Sequence, residues 1–173
     1  MKWAKLHDIA PVVLDKMANG GVFFTVKDKS GRVNTMNIGW GSIANYWNSP
    51  VFVAPIRHNR YTYELLQDAD TFTVSVPADD SLKRALMVVG TKHGNECDKY
   101  AEAGITPVDA LSIHGAVIAE CTFHIECKIR LITEMDFAQM SDETRMRFYG
   151  DNDAHTLYFG EVVACYRTDE DDT

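Results

Sequence analysis

Residues 34–62 read NTMNIGWGSIANYWNSPVFVAPIRHNRYT, and this stretch decides both the predicted fold and the predicted site. It begins with a β-type segment of small and hydroxyl-bearing residues, Thr35-Met36-Asn37-Ile38. An apolar strand starts at Pro50 and leads into the basic sequence RHNRYT at residues 57–62, where a helix is predicted to begin. A helix N-terminus presents free N–H groups and the positive end of its dipole. The end of this strand therefore predicts a phosphate site.

The side chains at this junction suit a phosphate group. Arg57 and Arg60 add charge and planar, fork-shaped donors, and Thr62 adds a hydroxyl. The alternative is an ordinary surface helix with solvated arginines and Asn59 as its N-cap. Because the strand at residues 35–38 could lie along a flat ring, the two segments together favour a phosphorylated planar cofactor over a bare substrate pocket.

The length and charge of the chain restrict the class of protein. The sequence has 173 residues and a formal net charge of −8, from 25 acidic and 17 basic side chains. We predict one domain over residues 1–173, and the acidic balance disfavours nucleic acid as a partner. No apolar run reaches membrane-spanning length and the first residues have no signal-peptide core, so we expect a cytoplasmic protein without a membrane partner. The acidic end, about residues 168–173, is predicted to be a solvated tail.

The hydrophobic pattern predicts a β-barrel. Apolar residues occupy every second position over residues 117–131, with polar residues between them, and this indicates one long curving strand with one wet face. Short helices are predicted at residues 59–68, after an Asp79 cap, and at residues 95–103, where Gly104 and Pro107 follow. Six or seven strands with short helices between them indicate a mainly β barrel. The absence of βαβ repetition and of GxGxxG argues against a Rossmann domain.

Cysteines and histidines give no metal signature. The four cysteines, Cys97, Cys121, Cys127 and Cys165, include no CxxC pair, so a zinc ribbon or a thioredoxin-like motif is not expected. In a cytoplasmic chain they are expected to be reduced and structural. The six histidines form no HExxH or similar spacing, and no metal site is predicted.

Four motifs, in order, carry a resemblance to a known family. The first two are the strand NTMNIGW at residues 34–40 and the helix start RYT at residues 60–62. The third is the segment VGTKHGNECDKY at residues 89–100, which ends in an Asp-Lys-aromatic triplet, and the fourth is the closing strand HTLYFGEV at residues 155–162. Together they resemble the flavin reductase-like, FMN-binding split-barrel family, and within it the flavoredoxin branch, over residues 20–163.

The resemblance implies an FMN-binding split β-barrel, mainly β with short helices, that is a flavin reductase or flavoredoxin-like oxidoreductase. A reduced nicotinamide, NADH or NADPH, would pass hydride to FMN, or to FAD as the alternative flavin. The reduced flavin would then serve a small-molecule or protein electron acceptor. A homodimer with the flavin at the subunit interface is also implied. No side chain need act as acid or base in hydride transfer, because the flavin carries the redox chemistry.

The same resemblance assigns the site residues. Backbone groups of residues 35–38 would contact the polar edge of the ring, and Trp40 or Trp47 would wall the pocket. Lys99 would stabilise the anionic reduced ring, and His155 would donate a hydrogen bond or a proton near the flavin or the nicotinamide. The predicted cofactor-binding residues are Asn34, Thr35, Met36, Asn37, Ile38, Trp40, Ser42, Arg57, Asn59, Arg60, Tyr61, Thr62, Thr91 and Lys92, and the predicted catalytic residues are His155 and Lys99.

The sequence departs from the family pattern in three places. Asn37 stands where threonine is common, and His93 and Asn95 stand where serine and arginine are common. Ala154 separates His155 from the aspartate that usually precedes it. Three alternatives stay open: an FMN carrier or electron-transfer protein without a nicotinamide site, a pyridoxamine-phosphate-oxidase-like split-barrel enzyme, and a barrel that has lost its cofactor. No second arginine cluster is present for the phosphorylated substrate of the second alternative.

Overall fold

The part of the chain that the computed structural model describes, residues 1–168, contains ten strands and five α-helices. The strands are β1 (Lys2–Trp3), β2 (Val22–Lys27), β3 (Val33–Ile38), β4 (Ser42–Tyr46), β5 (Ser49–Arg57), β6 (Thr71–Val76), β7 (Pro107–Asp109), β8 (Ala116–Ile118), β9 (Phe123–Glu134) and β10 (His155–Arg167). The helices are α1 (Leu6–Ala18), α2 (Tyr61–Leu66), α3 (Lys83–Thr91), α4 (Lys99–Ala103) and α5 (Asp142–Phe148), with one 3₁₀ turn at Phe137–Gln139. The prediction of a mainly β protein with short helices is confirmed, although ten strands replace the six or seven expected.

One antiparallel sheet forms the body of the protein. Its strand order is β3-β2-β6-β9-β10-β5-β4, with β1 added to β10, while β7 and β8 form a separate pair. β3 and β4 are the two ends of this order, yet residues 39–41 alone connect them in sequence. So short a connection forces the sheet to curve round until its ends come close. Because β3 and β4 do not pair, the barrel stays split at this point.

Apolar side chains from the inner faces of the strands fill the barrel. The ring centroids of Phe24 and Phe72 lie 4.9 Å apart, and Phe52 contacts Phe72 edge-on. Gly160 allows this packing, because a Cβ there would lie 2.4 Å from Phe72 Cζ. α1 adds a buried stripe of Leu6, Ile9, Val13 and Met17 to the same core, at the spacing of one helix face.

The predicted single strand over residues 117–131 is wrong at its start. The chain turns at residues 119–122, which separates β8 from β9. The predicted wet face is also wrong in the first half of β9, because His124 and Glu126 are buried. The Glu126 carboxylate accepts hydrogen bonds from the N–H groups of Leu111 and Ser112, both at 2.7 Å, and from the Tyr166 hydroxyl. The loop between β7 and β8 thus covers the polar face of the strand.

Helix and tail boundaries differ from the predictions by a few residues. α2 begins at Tyr61 and ends at Leu66, whereas residues 59–68 were predicted, and Arg60 rather than Asn59 holds the N-cap position. α4 starts at Lys99, where the Asp98 carboxylate caps it, and Gly104 ends it in the left-handed conformation as predicted. The Thr168 N–H donates a hydrogen bond to the carbonyl of Thr122, the residue before β9. The rest of the predicted acidic tail lies outside the described residues. Within residues 1–168, no helix combines the length and the apolar character that crossing a bilayer requires.

Candidate functional site

An open cleft of about 250 Å³ lies at the split in the barrel. Its walls come from the end of β3 and the residues that follow it, from the end of β5 and from the start of β10. The pairing of β10 with β5 places His155 directly opposite Arg57. The lining residues are Met36, Asn37, Ile38, Gly39, Trp40, Pro55, Arg57, Arg60 and His155.

A narrow polar pocket continues the cleft toward α2 and α4. The two spaces adjoin, because Met36 and Arg60 line both of them. Of the described residues, no aspartate or glutamate lines this pocket. Its lining residues are Asn34, Met36, Arg60, Tyr61, Thr62, Val89, Gly90, Lys92, His93 and Lys99.

Lys99 is a buried cation in the polar pocket. Its residue is 3% exposed, and its ammonium group donates one hydrogen bond, 2.8 Å long, to the carbonyl of Thr35. Among residues 1–168 it forms no ion pair with a carboxylate. The pKa of Lys99 is lowered to about 8, mainly by burial and to a smaller extent by the nearby Arg60, while Cys97 acts in the opposite direction. A buried charge without a counter-charge is costly, so this ammonium group suits an anionic ligand.

Asn34 and Thr62 join the strand β3 to the first turn of α2. The Asn34 amide donates to Thr62 Oγ1 at 2.6 Å, and both residues are buried. The loop before α4 approaches this pair so closely that a Cβ at Gly94 would lie 2.1 Å from Asn34 Oδ1. Glycine at position 94 is therefore a steric requirement of the pocket wall.

The free edge of β3 forms the floor of the site. Within residues 1–168, β3 ends the sheet and pairs with β2 alone, so its other edge keeps backbone groups without a strand partner in this part of the chain. The Thr35 carbonyl that accepts from Lys99 points to this edge. Since the backbone direction alternates along a strand, the N–H of Asn37 points the same way. These backbone groups lie where the sequence predicted contacts to the edge of a ring.

The side chains of β3 have structural partners. Thr35 is fully buried, and its hydroxyl bonds to Thr25 Oγ1 and to the Phe24 carbonyl inside the barrel. The Asn37 amide donates to the Gly20 carbonyl at 2.8 Å, which turns the side chain away toward the α1–β2 connection. The contribution that β3 can make to a ligand is therefore chiefly that of its backbone.

Arg57 and Arg60 differ in how their guanidinium groups are used. Arg57 donates to the Asp151 carboxylate at 2.8 Å and to the Phe148 carbonyl at 2.7 Å, and it lies 5.3 Å from the centre of the Tyr149 ring. Arg60, in contrast, makes no side-chain hydrogen bond or ion pair with any residue from 1 to 168. Of the two arginines predicted to bind phosphate, Arg60 is the one whose donors are available.

Aromatic rings surround His155 at the other end of the cleft. The Trp40 ring centroid lies 5.4 Å from that of His155, and Phe148 meets Trp40 edge-on at 5.4 Å. His155 Nδ1 lies 2.9 Å from the Tyr149 hydroxyl. Burial lowers the pKa of His155 to about 4, with Arg57 adding to the effect, so the imidazole is neutral near pH 7.

The remaining predicted ligands divide into two groups. Tyr61 and Lys92 line the polar pocket, although Lys92 also pairs with Glu102 at 3.4 Å. The other three line neither space. Ser42 is exposed on β4, Asn59 is exposed in the turn before α2, and Thr91 bonds to a carbonyl within α3.

Sequence reasoning missed the residues that precede β10. Phe148, Tyr149 and Asp151 surround Arg57 and His155, although no motif in their own segment marks them. They reach the site through the α5–β10 connection, which no local pattern predicts. His93 was noted as a departure from the family pattern, and it does line the polar pocket.

Solved structures with the same fold are numerous, and all those compared are distant in sequence. The flavoredoxin of Desulfovibrio vulgaris (Miyazaki F) matches with 23% identity and a TM-score of 0.67, over 87% of this chain and 70% of its own. The flavoredoxin from Methanosarcina acetivorans matches with 21% identity and a TM-score of 0.66, over 87% of this chain and 69% of its own. An FMN-binding domain of a flavin reductases-like enzyme from Shewanella baltica OS155 has 14% identity and a TM-score of 0.63, over 91% and 74%.

Family-level comparison covers nearly the whole chain. The comparison with curated protein sequences gives no match. The family model described as "Flavin reductase like domain", however, matches residues 14–173. This range includes β3, the β5–α2 junction, α4 and the start of β10, which together build the cleft and the polar pocket. The chain therefore belongs to the flavin reductase-like domain family, and its sheet is the FMN-binding split barrel of that family.

Proposed function

We propose that the chain binds FMN across the cleft and the polar pocket, and that it is an oxidoreductase that takes hydride from NADH or NADPH. The observation that carries the proposal is a pair of cations, Lys99 and Arg60, that have no acidic partner among residues 1–168 and lie at one end of a cleft whose floor is a free strand edge. Two such cations fit a phosphate group. A free strand edge fits the hydrogen-bonding rim of a flat ring.

At the phosphate end, three side chains offer hydrogen-bond donors. Arg60 supplies a planar fork of N–H donors, and Lys99 supplies a point charge that burial has already separated from water. Thr62 Oγ1 accepts from Asn34, so the hydrogen of its own hydroxyl is left for a phosphate oxygen. These groups would hold the phosphate where β3, α2 and α4 meet.

At the ring end, the chain supplies shape and neutral hydrogen-bonding groups. The N–H of Asn37 on the free edge of β3 would bond the polar rim of the ring, and Trp40 would border it. His155 is neutral and adds no charge of its own. The flavin, when bound, carries the hydride chemistry, and the residues of the chain bind and orient it.

The phosphate assignment is tested by comparing FMN with riboflavin, which has the same ring and no phosphate. We expect the protein to retain a visible flavin spectrum after FMN is added and the sample is desalted. Fluorescence titration should show tighter binding of FMN than of riboflavin. Arg60→Ala should weaken FMN binding roughly tenfold or more, the size of one charge-assisted hydrogen bond, and should leave riboflavin binding unchanged.

A matched variant separates this effect from a general change in charge. Arg84 is an exposed arginine on α3 that lines neither space, so Arg84→Ala should bind FMN as the wild type does. Equal affinity of the wild type for FMN and riboflavin would contradict the phosphate site. The same conclusion would follow if both arginine variants weakened FMN binding equally.

The proposal distinguishes a reductase from an electron carrier by one further measurement. Under anaerobic conditions, NADH or NADPH should bleach the visible band of the bound flavin. A carrier without a nicotinamide site would keep its colour with both nucleotides and lose it only with dithionite. The acceptor of the electrons, a small molecule or a protein, would then be sought by adding candidates to the reduced protein.

A homodimer that closes over the cleft is the second part of the proposal. The outer face of the sheet carries a row of apolar side chains on β5, β10 and β9, namely Val53, Phe159 and Leu131, and Tyr46 of β4 lies on the same face. Tyr46 contacts Phe159 edge-on at 5.5 Å, and Tyr46 and Leu131 are 45% and 42% exposed. The face continues into the cleft, because Pro55 and Arg57 follow Val53 at alternate positions of β5.

Sedimentation equilibrium tests this interface. Leu131→Lys should convert the dimer to a monomer and weaken FMN binding, because the partner would no longer cover the cleft. Val108→Lys is the matched control, since Val108 is 41% exposed on β7, away from this face. A wild-type monomer at micromolar concentration would contradict this part of the proposal. The cytoplasmic location stays a prediction from the sequence.

A further inference from the structure

Tyr149 is a buried residue next to the cleft that neither the motifs nor the proposed flavin contacts use. It follows α5 directly, and its residue is 4% exposed. Its hydroxyl lies 2.9 Å from His155 Nδ1 and 3.2 Å from Met135 Sδ. The Tyr149 and His155 rings meet almost at a right angle, with centroids 5.5 Å apart.

Arg57 holds Tyr149 in this position. Its guanidinium donates to the carbonyl of Phe148, the preceding residue, and to the Asp151 carboxylate two residues further on. The same cation lies 5.3 Å from the centre of the Tyr149 ring, within the range of a cation–π contact. Arg57 therefore restrains Tyr149 through the residues before and after it in the chain and through the face of its ring.

The hydroxyl of Tyr149 has one hydrogen and two neighbouring acceptors. An imidazole nitrogen is a stronger acceptor than a thioether sulfur, so the hydrogen is directed to His155 Nδ1 and the Met135 contact is secondary. A neutral imidazole whose Nδ1 accepts must carry its own proton on Nε2.

The Nε2 atom of His155 is open to the cleft. It makes no hydrogen bond within the described chain. Within residues 1–168, the buried side-chain atoms without a hydrogen-bond partner are Asn37 Oδ1, Tyr100 Oη and Asp153 Oδ2. His155 Nε2 is not among them although it has no such partner there, so it is not buried. Since His155 lines the cleft, the open nitrogen is exposed to that space.

We propose that Tyr149 is a positioning residue for His155, whose neutral imidazole it fixes in the tautomer that presents Nε2–H to the cleft as a hydrogen-bond donor. The ligand for this donor is an oxygen atom of the hydride donor or of the electron acceptor beside Trp40. This inference rests on the proposed function for the identity of that ligand. The tautomer itself does not depend on a bound flavin.

Electrostatics support a neutral pair. Burial lowers the pKa of His155 to about 4 and raises the pKa of Tyr149, so both groups are neutral near pH 7. The charged and titratable groups that face His155 are Arg57, Arg60 and His58, which lower its pKa, and Asp153, which raises it. Arg57 thus has two effects here, since it orients the tyrosine and keeps the histidine uncharged.

Long-range ¹H–¹⁵N NMR of the flavin-free protein tests the tautomer directly. The wild type should show a protonated Nε2 and an unprotonated Nδ1 for His155. Tyr149→Phe should mix the two tautomers and raise the pKa of His155, because the bond that stabilises the neutral form is lost. Tyr100→Phe is the matched control, since the Tyr100 hydroxyl is buried without a partner and lies outside the lining of the cleft. It should leave the His155 signals unchanged.

Kinetics then test the role in the reaction. In Tyr149→Phe, anaerobic flavin reduction by NADH or NADPH should slow roughly tenfold, the size of one hydrogen bond, while the FMN dissociation constant stays at the wild-type value. A protonated Nδ1 in the wild type, or His155 signals that do not change in Tyr149→Phe, would overturn the inference. If FMN fails to bind at all, the proposed function fails, and the NMR result still decides the role of Tyr149.

Discussion

Arg57 and Arg60 lie three residues apart on either side of one turn, and the structure uses them in opposite ways. Arg57 ends β5 and has two hydrogen bonds to the α5–β10 connection and a ring contact with Tyr149. Arg60 caps α2 and has no partner for its guanidinium within residues 1–168. In sequence the two look equally suited to a phosphate. The comparison teaches that the partners of a cation, rather than its presence in a motif, indicate whether it is available for a ligand.

Stability measurements should give the largest difference between the two arginines. Arg57→Ala should lower the free energy of unfolding by about 2–3 kcal/mol, because it removes hydrogen bonds between charged and polar groups and leaves the Phe148 carbonyl unpaired. Arg60→Ala should change it by less than about 0.5 kcal/mol, as for a surface residue without partners. Urea denaturation of the flavin-free variants provides both values.

Similar losses of unfolding free energy in Arg57→Ala and Arg60→Ala would contradict the difference between the two arginines. Such a result would mean that Arg60 has a structural partner in solution, and its assignment to the phosphate would then lose its physical basis. Asp151→Asn tests the partner of Arg57. It should reproduce part of the stability loss of Arg57→Ala, because it weakens the 2.8 Å ion pair between Arg57 and Asp151.

Lys99 extends the comparison, because it is a second cation that has no carboxylate partner within the described residues and is far more buried than Arg60. Lys99→Met should weaken FMN binding by about 1.5–3 kcal/mol, roughly ten- to a hundredfold, the value of a hydrogen bond to a charged group. The flavin-free protein should change little in stability, since the removal of a buried charge offsets the loss of the hydrogen bond to the Thr35 carbonyl.

A paired lysine is the appropriate control. Lys27 bonds to the Asp109 carboxylate at 2.7 Å, so Lys27→Met should lower stability and leave FMN binding unchanged. If Lys99→Met destabilises the protein as Lys27→Met does, the Lys99 ammonium is a structural group held by the Thr35 carbonyl. Titration with FMN and urea denaturation of the two variants decide between these roles.

Sequence reasoning named three residues that the structure brings to one pocket, because each lies in a short local motif. Thr62 and Arg60 were predicted for a phosphate from a strand–helix junction. Lys99 was predicted to act on the reduced ring from an Asp-Lys-aromatic triplet, and the structure places it beside the other two. The prediction for Thr35 concerned its backbone, and the side chain has a different role. Its hydroxyl lies inside the barrel, bonded to Thr25 Oγ1, which the sequence of β3 does not indicate.

The aromatic end could not be predicted in the same way. Asp151 and Arg57 are 94 residues apart in sequence, and only the register that places His155 opposite Arg57 brings them together. The error over residues 117–131 has a related cause. Glu126 looks like a solvent-facing residue until the β7–β8 loop supplies the N–H donors and Tyr166 the hydroxyl that allow its burial. Hydrogen bonds between different elements of this kind leave no local pattern.

The pH dependence of FMN binding should show the smallest effect and the most specific one. The pKa of Lys99 is lowered from its ordinary value of 10.5 to about 8, mainly by burial. Between pH 7 and pH 9 the flavin-free protein therefore loses most of this charge, while Arg60 stays protonated and the phosphate stays a dianion. FMN affinity should fall several-fold over this range. Because the bound phosphate favours charged Lys99, the decline should continue above pH 8.

Riboflavin binding should stay level, and so should FMN binding to Lys99→Met. A decline that persists in Lys99→Met would mean that another group in the site titrates, and Lys99 would then not be the cation that makes the polar pocket differ from the aromatic end.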